Sequence, residues 1–106
     1  SAETASTRAL RGLIAARRDE LDALLDKYGA TNPRLFGSVA RGDAHEGSDI
    51  DILVDMDPAD GNVFMRASGL KGETRELFGR VGVDVFPAQL LKESVSPSAR
   101  AEAAPL

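Results

Sequence analysis

Leu35-Phe36-Gly37-Ser38-Val39-Ala40-Arg41-Gly42, followed after a polar loop by Ser48-Asp49-Ile50-Asp51-Ile52-Leu53-Val54, is the stretch on which the reading of this chain turns. The second half is rich in β-branched residues and begins by alternating acidic with apolar positions, which predicts a strand from Asp49 to Asp55. Side chains two apart on a strand share one face, about 6.5–7 Å apart along the backbone. Asp49 and Asp51 therefore point together. Two carboxylates so placed repel, and a cation, a shared proton or open water is needed to keep both ionised. A divalent metal meets that need directly, and a few carboxylates plus substrate phosphates are the usual way Mg2+ is held.

The first half reads as a strand, a tight turn at Gly37-Ser38 and one or two helical turns. Glycine lets the backbone approach a ligand closely, and N–H groups at the start of the following helix can receive phosphate oxygens, with the Ser38 hydroxyl as a further donor. Arg41 is a candidate triphosphate contact; the alternative is a pair with Asp43 or with one of the site carboxylates. A third carboxylate comes from later in the chain. Val81 to Phe86 reads as a strand with Val81, Val83 and Val85 on one face and Asp84 on the other. If this strand neighbours the first, Asp49, Asp51 and Asp84 converge, and a pair of metal ions about 3.5–4 Å apart could stabilise the attacking and leaving oxygens of an in-line displacement.

Outward from this centre the pattern is helical. Leu10, Leu13, Ile14, Leu21, Leu24, Leu25 and Tyr28 repeat at helical spacing and predict one amphipathic helix from Arg8 to Tyr28, stopped by Gly29 and a Thr31-Asn32-Pro33 turn. Asn62 can cap a second helix with Phe64, Ala67, Leu70, Thr74, Leu77 and Phe78 on one side, although Gly69 and Gly72 each weaken it by roughly 1 kcal/mol. Ser96-Pro97 has the pattern of a cap followed by proline, predicting a short helix over Ser98–Ala104. Residues 1–7 carry no structural signal and are expected to be poorly ordered, leaving 8–106 as a single domain.

The remaining polar residues have plainer readings. Asp55 and Asp57 flank the Pro58 turn and read as strand-end and turn residues. His45 reads as a surface residue, and Arg17-Arg18 as a solvated helix face.

Composition narrows the chemistry. The chain has 106 residues, no cysteine and one histidine, which excludes disulfides and thiolate metal sites and leaves oxygen ligation for any metal. A formal charge of −4 argues against broad binding to nucleic acid. No apolar run approaches the roughly 18 residues of a membrane span, and the expected setting is cytoplasmic.

The two quoted runs resemble the nucleotidyltransferase signature of the DNA polymerase beta superfamily. More narrowly, the chain resembles the minimal nucleotidyltransferases (the MNT type) encoded beside HEPN-family proteins in prokaryotic toxin–antitoxin pairs, and the likeness extends from the leading helix to the C-terminus. The resemblance implies an α+β fold, a mixed sheet packed against helices. It implies Asp49, Asp51 and Asp84 as metal ligands and catalytic groups, and Gly37 and Ser38 as the triphosphate-binding turn. It also implies transfer of AMP from ATP, with Mg2+ or Mn2+, to a hydroxyl of the cognate HEPN-type toxin, commonly a tyrosine, and a complex with that toxin. Neutralisation of the partner by binding alone, and nucleotide transfer to RNA such as tRNA ends, are the alternatives.

Overall fold

The structure, a computed structural model, describes residues 2–91 and 103–106. Helices α1 (Ala5–Ala16) and α2 (Arg18–Lys27) lead into strand β1 (Ala30–Phe36), the short helix α3 (Ser38–Arg41) and strand β2 (Ile50–Met56). A 3-10 turn (Pro58–Asp60) precedes helix α4 (Val63–Phe78), strand β3 (Val83–Pro87), a second 3-10 turn (Ala88–Leu91) and strand β4 (Ala104–Pro105).

The sheet is mixed, in the order β3-β2-β1-β4. β1 is antiparallel to β2 and β4, whereas β2 and β3 run parallel, with α4 as the crossover between them. Alternation along the strands divides the side chains cleanly. Leu35, Ile50, Ile52, Val54, Met56, Val83 and Val85 join Ile14, Leu21, Leu25, Leu70 and Phe78 in one apolar core between sheet and helices. Arg34, Phe36, Asp51, Leu53, Asp55, Asp84 and Phe86 take the other positions, where Phe36 and Phe86 meet edge to face at 5.1 Å. The α+β expectation, a mixed sheet packed against helices, holds.

Several local expectations need correction. The chain becomes helical at Ala5, not Arg8: Thr4 caps α1 by accepting from the Thr7 amide at 3.1 Å and donates to the Ala44 carbonyl at 2.5 Å. The Thr7 hydroxyl is fully buried and accepts from the Ala44 amide at 3.0 Å. Thr4 and Thr7 thus tie the helix start to the loop before β2. The single leading helix is in fact two, broken at Arg17. A continuous helix would bring Arg17 and Arg18, three and four residues after buried Ile14, toward the core face; the break leaves them to pair with Glu20 at 3.1 Å and Asp22 at 2.8 Å.

Thr31-Asn32-Pro33 belongs to β1 instead of forming a separate turn. It makes an irregularity in the β1–β2 register, with Asn32 at φ 49° and Pro33 where no ladder donor is required. Asp55 fastens it, accepting from Asn32 at 3.1 Å and from Arg34 at 2.7 Å. On α4, Phe64 is 68% exposed and not in the core stripe, which runs through Ala67, Leu70, Thr74 and Phe78. Gly69 has a steric reason: a Cβ there would lie 2.5 Å from Cε1 of Tyr28. The expected helix over 98–104 lies mostly outside the described residues; Ala104, its last position, pairs with Leu35 in the sheet.

Candidate active site

The quoted runs fold into a strand–turn–helix next to a central strand. Gly37 takes φ 74°, a conformation suited to glycine, and ends β1 directly against the acidic face of β2. A Cβ on Gly37 would stand 2.7 Å from Oδ2 of Asp51. Ser38 opens α3, whose first N–H groups have no acceptor within the helix. Arg11 braces the far end of α3 by donating to the carbonyl oxygens of Val39 at 2.9 Å and Ala40 at 3.3 Å.

Asp51 and Asp84 occupy the same register position on parallel neighbours β2 and β3. Asp49 stands just before β2, where the Ile50 amide donates to Gly82 at 2.8 Å. A Cβ on Gly82 would overlap the Asp49 carboxylate. Glycine at 82 therefore leaves the Asp49 carboxylate the room it occupies, a role that the sequence reading missed. An isolated glycine between Val81 and Val83 was the available signal, since a glycine at a strand entry often marks close approach by another group.

Burial first, and then the charges of Asp84 and Asp49, push the Asp51 carboxyl up from an ordinary 3.8 to about 6, while Arg41 pulls the other way. The neighbourhood holds more negative charge than it neutralises. Arg41 also pairs with Asp43 at 3.2 Å, so the alternative given for it is realised alongside its influence on Asp51. A second unforeseen residue stands at Asp84, whose Oδ1 meets Nζ of Lys71 from α4 at 3.0 Å.

The sheet thus brings Asp51 and Asp84 level and places Asp49 beside them, but among the described residues no three acidic or histidine side chains are already drawn together tightly enough to hold a metal. The donor chemistry suits a hard cation all the same: only carboxylates are present, backed by glycines, with burial and like charge opposing ionisation of Asp51 unless positive charge is supplied. Asp55 and Asp57, by contrast, serve the β1 irregularity and the cap of the Pro58 turn, where Asp57 accepts from Ala59 at 2.9 Å. His45 is exposed, its ring Nδ1 2.8 Å from the Glu46 carbonyl oxygen.

Over residues 18–104 the chain matches the nucleotidyltransferase domain family. It belongs to that family. A solved structure provisionally described as a minimal nucleotidyltransferase is 35% identical and superposes with a TM-score of 0.68, covering 94% of this chain and 95% of its own. No protein of curated function matches. Membership gives this nucleotidyltransferase its reaction class and a nucleoside triphosphate as substrate. Among the described residues no helix is long and apolar enough to cross a membrane.

Proposed function

We propose that this nucleotidyltransferase moves AMP from ATP to a hydroxyl of a partner protein. Asp49, Asp51 and Asp84 would hold a divalent cation, Mg2+ or in its place Mn2+, and Gly37, Ser38 and Arg41 would receive the triphosphate. The observation that carries the reading is the pairing of Asp51 with Asp84 across parallel strands, directly behind the Gly37 turn. When bound, the cation supplies charge neutralisation to the phosphates and to the departing pyrophosphate.

The chain's own residues divide the remaining work. The Gly37-Ser38 turn orients the phosphates with backbone N–H groups, as helix starts do for anions. Asp84, on the strand beside Asp51, would accept the proton of the incoming hydroxyl. That oxygen bonds to the α-phosphorus, the bond from phosphorus to the bridging oxygen breaks, and pyrophosphate leaves. The likeness to minimal nucleotidyltransferases paired with HEPN-type toxins supports a toxin tyrosine as acceptor and an antitoxin role.

Incubation with ATP, Mg2+ and the HEPN-type partner, read by intact mass, tests this. The expected result is addition of whole AMP masses to the partner, abolished in the D49A/D51A variant. No mass gain, with the partner still neutralised by that variant, would establish inhibition by binding alone; label appearing in RNA would redirect the acceptor.

A further inference from the structure

Lys71 sits where the pattern of α4 calls for a packed side chain. It lies four residues after Ala67, three before Thr74 and next to Leu70, all buried. Residues at such spacings share a helix face, so Lys71 borders the core stripe. A lysine in such a place lays its methylene stem along apolar surface and carries its ammonium outward. Among the described residues β3 is an outer strand of the sheet, so a side chain from the helix layer can reach round its edge. The ammonium does so and meets Asp84 at 3.0 Å, with side-chain exposures of 39% and 38%.

The partner it chooses is what matters. Asp84 stands level with Asp51, and the Lys71 ammonium is spent on this carboxylate of β3, two strands across the sheet from the β1 that ends at the Gly37 turn. We propose that Lys71 is a positioning residue for Asp84, a tethered positive charge that occupies this carboxylate until a divalent cation displaces it. The inference rests on the reading of Asp49, Asp51 and Asp84 as cation ligands. Its consequence is competition: only molecules in which Lys71 has let go present the full ligand set, and apparent cation affinity falls by that fraction.

The test is titration of the full chain with Mn2+ alone, at fixed pH and without nucleotide, reading free Mn2+ by electron paramagnetic resonance. Lys71→Met keeps the stem and removes the charge, and is expected to bind Mn2+ about two- to five-fold more tightly, the range that a partly exposed ion pair spans. Lys71→Arg, which restores a cation, is expected to return the affinity toward that of the unaltered protein. A purely structural lysine would give neither the gain nor its reversal. Equal affinity in the unaltered protein and Lys71→Met overturns the inference and leaves the cation site standing. Absence of Mn2+ binding in both proteins overturns the cation-site reading and the inference with it.

Discussion

Gly82 separates positioning from folding at a single atom. It needs no left-handed backbone, unlike Gly37, so a methyl at 82 acts by displacing the Asp49 carboxylate and not by straining the chain. Gly82→Ala is expected to lower nucleotidyl transfer about 100-fold, the order of loss that follows a displacement near 1 Å, with a far smaller change in thermal midpoint. Initial rates and circular dichroism melts on the same sample check both halves. Asp51 gives the converse case. Its folded-state pKa is raised, so its favourable contribution is complete below about pH 4 and is lost as pH rises through about 6. Metal-free Asp51→Asn should therefore be more stable than the unaltered protein at pH 7.5, by about 1 kcal/mol once the screening of a half-exposed group is allowed for, and the gain should vanish near pH 4. Urea unfolding at the two pH values decides it. That Asp51 lies on the face away from the core was legible because strand alternation is strict, whereas Asp49 falls just before β2 and not within it. Gly82 and Lys71 were not, because their significance lies in which carboxylate each meets across the sheet, and linear sequence does not carry that register.

At the scale of elements, side chains that bond to the backbone hold the site's frame. Arg66 on α4 donates to the carbonyl oxygens of Tyr28 at 3.0 Å, Gly29 at 3.1 Å, Asp57 at 2.8 Å and Gly61 at 3.2 Å, joining the end of α2 to the turn after β2. Arg66→Ala should cost about 2 kcal/mol in urea unfolding, given the worth of charged hydrogen bonds at a partly exposed position. Arg66→Lys should not recover it, since one ammonium cannot span the fork. Thr7→Val leaves the buried Ala44 amide without its acceptor and should cost a similar amount, about 1–3 kcal/mol. The stripes of α2 and α4 and the run of β2 were readable from periodicity, as was the Asn62 cap, which accepts from Met65 at 2.9 Å. The split at Arg17 was less so, because the apolar repeat keeps phase across it and Arg17-Arg18 reads as a solvated pair with or without a break. The start of β1 was hidden by Asn32-Pro33, whose turn chemistry is used here inside a strand.

At the scale of the whole molecule, a chain of net charge −4 binds a polyanionic substrate only by concentrating positive charge locally. Its helices pack on one face of the sheet, and Asp51 and Asp84 alternate onto the other, level with each other and behind the Gly37 turn. Arg41 and Lys71 bring positive charge to this region, and the proposed cation brings the rest. Substrate and cation are accordingly expected to bind together and poorly apart. The decisive measurement is calorimetric titration of the full chain with a non-hydrolysable ATP analogue, with Mg2+ and with a chelator in its place. The account predicts saturable binding with Mg2+, at least tenfold weaker binding under chelation, and the same weakness in the D49N/D51N variant with Mg2+ present. Equal affinity in all of these conditions would contradict it.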